Sequence, residues 1–437
     1  MTDESDSIML SREQRKILEY LLEKYERSAT FRGENSRNQS FSVKPEALFP
    51  KYADEREYDF FVELNRDLCD LRDRGLIELK MINQRVTKVT VKPDQTFWTD
   101  ELYRLLGRQP KRDILKELSG FLSEEKAFIE TRFPFGDLSE ALLRYIEAQE
   151  ERIAKGKLPE YYEEGRSDSR NSNHKPSVVG DMDYRDLWKV FRELQTVTEE
   201  TYIRNLSIRL FHDSKRLETL AGKVESCLFR YGDYPEKDKV LEECNVIRTP
   251  SYVMIKGPVV LSLGAQTLDI GSLTGDIAFS TNSLRSITGI RLMGKTVITV
   301  ENLTTFHSND FGEEVALLYL GGYHNATKRV FLKKMHEANP GAEYFHFGDI
   351  DAGGFYIYEH LRRKTGIPFK TYRMNVATLE QYEQDTKPLT ANDRDRIQSL
   401  IRKYETGELQ NPEKEDIKKT LVRMLETGRK LEQEAVF

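Results

Sequence analysis

The sequence predicts a mainly α-helical N-terminal half followed by an α/β C-terminal half built on a small parallel sheet. Three observations carry this. Apolar residues recur at helical spacing as far as residue 231. A polar stretch dotted with glycine and proline, residues 155–180, interrupts that pattern and reads as a linker or mobile loop. After Thr249 short β-rich runs take over, and from residue 296 apolar strands alternate with helices of roughly ten residues.

Taken in order, "SREQRKILEYLLEKYERS" (11–28) places Ile17, Leu18, Leu21, Leu22 and Tyr25 on one helical face. A short segment near Pro45–Tyr52 precedes a second helix with Phe61, Leu64, Leu68 and Leu71 on one face and Gly75 as its stop. "LIELKMINQRVTKVTVK" then alternates as two strands around a turn near Asn83–Arg85. Helix, short helix, helix and hairpin is the order of a winged-helix domain, here residues 1–96. Its second helix, Arg56 to Arg74, holds six acidic residues against four arginines, a poor surface for phosphates. The hairpin is the better candidate for DNA, through Lys80, Arg85, Lys88 and Lys92; a structural or partner-binding role is equally open.

Residues 97–180 read as further helices ending in the polar linker, and helical spacing resumes over 181–249, where Asp213 or Ser214 is placed to cap a helix from Lys215. Strands are expected over Tyr252–Ile255 and Val259–Leu263, then at "TVITVEN", "VALLYL", "YFHFGDID" and "FKTYRM", with helices at "NATKRVFLKKMHEA" and "GFYIYEHLRRK". These make up an α/β domain of residues 250–385. Two charged helices fill 386–437.

At 437 residues the chain can hold two to four domains. Its 32% charged residues describe heavily solvated helices, and no apolar run approaches bilayer-spanning length. The start, "MTDESDSIMLSREQRK", lacks the apolar core of a secretory signal, and Cys69, Cys227 and Cys244 are too scattered for a disulfide framework or zinc motif. A reducing, cytoplasmic setting is therefore expected. The net charge of −6 argues against a chain that wraps nucleic acid unaided. Any DNA contact has to come from local basic patches or from partner subunits.

Functional groups in an open parallel sheet gather at the carboxyl ends of its strands. Glu301 ends one predicted strand, and Asp349 and Asp351 end a later one, so all three should share an edge. Gly353 and Gly354 are expected to let the chain turn sharply into the next helix without crowding what approaches. Three carboxylates on one edge raise each other's pKa unless a cation lies between them. Hard oxygen ligands suit Mg²⁺ or Mn²⁺, the usual electrostatic partners of phosphodiester chemistry. An isolated D-x-D is more often a helix cap or turn; the strand-Glu, two α/β steps and strand-D-x-D-x-x-G-helix together are less easily dismissed.

Strand-Glu301 followed by "GDIDAGG" resembles the Toprim domain, the metal-binding module of topoisomerases, primases and related nucleases. That resemblance implies that Glu301, Asp349 and Asp351 bind divalent metal and serve DNA cleavage. "VENLTTFHS", "LYLGGYHN", "HFGDIDAGGF", "LFHDSKRLE" and "KLEQEAV" further resemble the JetD family, the nuclease subunits of Wadjet systems. This resemblance is specific from about residue 205 onward and architectural before that. It implies a homodimer related to the A subunit of type IIB topoisomerases, with residues 181–249 as a CAP-like DNA-binding region. It also implies an SMC-like ATPase complex with kleisin-type subunits as the partner, and plasmid DNA as the target.

The expected activity is thus metal-dependent endonucleolytic hydrolysis, with Glu301 completing the metal site or acting as general base. Type IIB enzymes use a tyrosine nucleophile, and none of the 21 tyrosines here stands out by context. The alternatives are a topoisomerase-like transesterase and a non-catalytic DNA-binding adaptor. Weaker candidates are His307 and His324 in loops on the same edge, for orienting a phosphate or shuttling a proton. Lys328, Arg329, Lys333 and Lys334 form a basic cluster that could track a DNA backbone. Glu432 and Glu434, in the family-like ending, are expected to serve packing or dimer contacts more than metal.

Overall fold

A serine-led capping box starts the first helix of the computed structural model, which describes residues 10–35, 39–91, 96–163, 179–234, 236–308, 311–321 and 326–436. Ser11 Oγ accepts the Gln14 N–H and the Gln14 side chain accepts the Ser11 N–H, so the helix Arg12–Glu26 begins with two of its free donors satisfied. Ile17, Leu18, Leu21 and Leu22 are fully buried on its inner face. The helix packs on a second one, Tyr58–Asp73, through Leu64, Leu68 and Leu71. The hairpin strands Glu78–Ile82 and Arg85–Val91 join at Asn83 and Gln84, both left-handed (φ 48° and 64°), and Phe41–Val43 adds a third antiparallel strand. Left-handed geometry at both central residues matches the twist of a tight hairpin. Three long helices follow, Thr96–Leu106, Lys111–Arg132 and Asp137–Ala154. Most of the expected linker, residues 164–178, lies outside the described residues.

Contacts divide the chain into Met1–Arg185 and Asp186–Phe437. The second unit opens with helical segments, among them Ile203–Phe211 and Arg216–Tyr231. Lys215, not Asp213 or Ser214, is the cap residue of the latter helix, while Asp213 Oδ1 accepts the Lys215 N–H at 2.8 Å.

A six-stranded sheet follows. Its strands are β1 (Tyr252–Lys256), β2 (Ile277–Ser280), β3 (Thr296–Val300), β4 (Val315–Tyr319), β5 (Glu343–Phe347) and β6 (Lys370–Thr371), arranged β6-β5-β3-β4-β1-β2. Pairs β3/β4, β3/β5 and β5/β6 are parallel; β1 pairs antiparallel with both β4 and β2. The sheet is therefore mixed: a small parallel core of the expected kind is widened by an antiparallel pair. The strand expected at "FKTYRM" shrinks to two residues, and Arg373 takes a left-handed conformation (φ 56°) that a continuing strand cannot hold. Helices Ala326–Ala338 (α1) and Ala352–Thr365 (α2) connect β4 to β5 and β5 to β6. One apolar core, including Val297, Val300, Phe347, Ile350, Phe355 and Leu361, joins the sheet to these helices and to the C-terminal pair Ala391–Glu405 and Lys414–Thr427. Among the described residues no helix is long and apolar enough to cross a membrane.

Gly257 sends the chain out of β1 into a separate three-stranded antiparallel sheet formed by Val259–Leu263, Gln266–Asp269 and Gly289–Leu292. Its φ is +100°, and a Cβ there would stand 2.4 Å from the Val315 carbonyl oxygen. Gly257→Ala combines backbone strain with a steric clash against β4. It should lower stability by about 2–4 kcal/mol, seen as a fall in melting temperature of several degrees.

Candidate functional site

Strands β3 and β5 run side by side in parallel with Val300 opposite Phe347. Both chains leave the sheet at the next residue, so Glu301 and Gly348 are neighbours on the carboxyl edge, and the Glu301 N–H donates to Phe347 O at 3.1 Å. Beyond Gly348 the chain stays extended, and its side chains alternate. Ile350 goes into the core and pairs with Leu431 through two backbone hydrogen bonds of 2.8 and 3.2 Å. Asp349 and Asp351, on either side of it, are only half-buried.

Each acid is then held by a different local device. Asp351 is the N-cap of α2: its Oδ1 accepts the Gly354 N–H at 2.9 Å, while its Oδ2 lies 3.5 Å from Lys430 Nζ. Asp349 Oδ1 accepts the backbone N–H of Gln433 at 2.7 Å. Glu301 as a residue is half-buried, but its Oε2 is buried and has no hydrogen-bond partner among the described residues.

Gly353 and Gly354 do not make a sharp turn. Both lie in the first turn of α2, and neither has a positive φ. Gly354 is needed for close approach, because a Cβ there would stand 2.2 Å from the Asp349 carbonyl oxygen. A Cβ on Gly353 would meet Asp351 Oδ1 at 3.1 Å.

The chain's last turn closes around these strand ends. Gln433 is fully buried. Its Nε2–H donates to Phe347 O at 2.7 Å, and its Oε1 accepts the Asn302 N–H at 2.7 Å. One side chain thus bridges the exits of β3 and β5 while its own backbone holds Asp349. Lys430 reaches Asp351 and also Asp393, 3.3 Å away.

Charge accumulates here. Burial raises the Glu301 pKa well above the carboxylate range, and Asp349, Asp351 and Glu236 add to it. Asp349 is pushed up to about 7, chiefly by burial; the Gln433 N–H opposes that shift, and Asp351, Glu434 and Glu432 reinforce it. Burial likewise raises Glu236, with Asp351 among the acids that add to the effect. Burial works against the Lys430 charge, but Asp351 and Asp393 outweigh it and its pKa is raised.

The remaining sequence candidates scatter. His307, about half exposed, has its Nδ1 3.3 Å from Asp276 Oδ1. His324 and Lys92 lie outside the described residues. The basic run on α1 is not one surface. The Lys328 ammonium bonds the Leu320 carbonyl, and burial brings its pKa down to about 8. Arg329 pairs with Glu243, and only Lys333 and Lys334 are exposed. On the hairpin Lys80 and Lys88 stand opposite each other and are exposed, whereas the Arg85 guanidinium lies over Tyr52 and Phe61 at 5.4 and 5.1 Å. Glu432 pairs with Lys387, and Glu434 accepts from Asn302 Nδ2. Sequence reasoning did not find Gln433, Lys430, Asn302 or Glu236. The "KLEQEAV" ending was the available signal for the first two, without any indication of what it touches.

Residues 258–437 match the family described as Wadjet protein JetD, C-terminal. The chain is also similar to Wadjet protein JetD of Bacillus cereus (strain Q1), with 25% identity over 379 residues, covering 84% of this chain and 86% of that protein.

The raised Asp349 pKa has a signed consequence for the metal-free protein. Between the ordinary carboxylate range and about 7 the folded state keeps a proton that the unfolded state has lost, so stability falls as pH rises through that window. Asp349→Asn removes the buried charge and keeps an oxygen for the Gln433 N–H. In chelator at pH 8 it should melt higher than the parent by on the order of 5 °C, and the difference should vanish near pH 4.

Proposed function

We propose, from the similarity to JetD proteins over residues 258–437 and along most of the chain, that this protein is a member of that family, the metal-dependent DNA endonuclease subunit of a Wadjet-type defence complex, and cuts plasmid DNA by phosphodiester hydrolysis. The observation that most supports this reading is the placement of Glu301, Asp349 and Asp351 at one sheet edge, with Glu301 Oε2 buried and unpartnered among the described residues. Carboxylates so placed need positive charge beside them. Lys430 supplies one such charge, to Asp351 alone of the three.

The donor set fits Mg²⁺ or Mn²⁺, which take oxygen ligands. Among the described residues, no three His, Cys, Asp or Glu side chains gather closely enough to hold an ion by themselves. Mg²⁺ is commonly held by one or two carboxylates, with waters and substrate phosphate completing its shell. On this reading Asp349 and Asp351 hold the cation, the cap geometry fixing Asp351 and the Gln433 N–H fixing Asp349. When bound, the cation stabilises the attacking and leaving oxygens of the phosphodiester. Glu301, beside them at the exit of β3, is the group placed to accept the proton of the attacking water.

Lys80, Lys88, Lys333 and Lys334 are the exposed cations assigned here to DNA-backbone contact. With a net charge of −6 the chain binds DNA weakly alone. A homodimer working with an SMC-like ATPase complex and its kleisin-type subunits presents the DNA.

The purified chain should cut supercoiled plasmid slowly or undetectably at physiological salt, with either Mg²⁺ or Mn²⁺. With the SMC-like partners and ATP, nicked or linear product should form, and Asp349→Ala should reduce its rate by about 10²-fold or more. Undiminished cutting by the variant would rule out this site. Protein–DNA adducts that survive denaturation would show transesterification through a tyrosine. No cutting by the complete system would leave the chain a non-catalytic adaptor.

A further inference from the structure

The antiparallel bridge between Ile350 and Leu431 also fixes what stands opposite the aspartates. Both of its backbone hydrogen bonds are made, so the flanking residues face each other in register, Lys430 across from Asp351 and Glu432 across from Asp349. Ile350 and Leu431 are fully buried in the core, and the four flanking side chains therefore project from the other face. Glu432 is turned to Lys387, 2.5 Å away, which leaves Lys430 as the member of this face that brings positive charge to the aspartates.

The Lys430 ammonium is held from two sides. Asp393 Oδ2 lies 3.3 Å away, and that carboxylate is itself fixed by the Thr390 N–H at 2.9 Å and the Thr390 hydroxyl at 2.8 Å, in the capping box of the helix Ala391–Glu405. Asp351 Oδ2 lies 3.5 Å away on the other side. An ammonium has three N–H donors, and two carboxylates engage two of them. The Lys430 side chain is 21% exposed, so a donor remains for a group that approaches the edge. Asp351 Oδ1 is committed to the Gly354 N–H, which leaves Oδ2 as the oxygen that faces a cation. A phosphate oxygen that shares this cation lies beside Oδ2, and so within reach of an ammonium already next to that atom.

We propose that Lys430 is a catalytic residue of this site: its Nζ–H donates to a non-bridging oxygen of the scissile phosphate and stabilises the negative charge that builds there as water attacks. Positive groups aimed at a phosphoryl centre act in this way. Lys430 neither gives up nor takes a proton in the step. Asp393 keeps the ammonium in place when a cation takes over Asp351. The inference rests on the nuclease reading given above and adds a group that touches the substrate directly.

The test separates a contact to phosphate from support of the metal site. In the complete system, with the SMC-like partners and ATP, Lys430→Gln and Lys430→Met should each cut supercoiled plasmid about 10²-fold more slowly than the parent. Mn²⁺ affinity of the purified full chain, read by electron paramagnetic resonance, should hold or tighten in both variants, because an ammonium that shares Asp351 repels the incoming ion. Melting curves confirm folded protein, and the Met variant, which keeps an unbranched apolar stem, decides alone if the Gln variant does not fold. Parental cutting by a folded variant would overturn the proposal. So would slow cutting accompanied by weaker Mn²⁺ binding, since that is the mark of a lysine that only holds Asp351 in position. A parent system that binds no Mn²⁺ and cuts nothing would defeat the nuclease reading itself, and this proposal with it.

Discussion

The register of β3 against β5 is the constraint on which the site depends. With Val300 opposite Phe347, Glu301 leaves one strand beside the residue that leads to Asp349 on the other. A slip of one residue would turn the side chains of either strand to the opposite face, undoing the packing on both buried faces and withdrawing Glu301 from its neighbours. The apolar core that forbids the slip therefore also sets the distances among the acids.

Those acids are placed against their own electrostatics. Burial and mutual repulsion raise both Glu301 and Asp349, and Lys430 is the cation the structure sets beside Asp351. Strain of this kind is carried by the surrounding contacts: the cap on α2, the Ile350–Leu431 bridge and the three hydrogen bonds of Gln433. Functional sites commonly hold such conflict, because a residue relaxed in its resting environment has little reason to engage a ligand.

How much of this was legible beforehand depends on how local the cause is. Strands β3, β4 and β5 are apolar runs bounded by polar residues, and α1 and α2 have helical spacing, so their existence and order could be read from the sequence. The adjacency of Glu301 and the aspartates followed from the expected topology. Gln433 could not be found this way, since its partners lie 84 to 131 positions away and the "KLEQEAV" ending that contains it does not say what it touches. Periodicity shows that Lys328, Arg329, Lys333 and Lys334 share a helix but not which side the fold covers, so the inward turn of Lys328 was invisible. The two glycines were read as a turn signal, whereas what excludes a side chain at Gly354 is a carbonyl from the preceding segment.

The Gln433 clamp also has a history in time. The strands that carry the acids are complete once the chain has grown past residue 351, but the clamp comes some eighty residues later. At typical rates of synthesis, about 5–20 residues per second, that is a delay on the order of ten seconds. Through that interval a nascent chain can hold its sheet while the exits of β3 and β5 stay untied and Asp349 lacks its backbone donor. The arrangement of acids is thus completed well after the sheet that supports it.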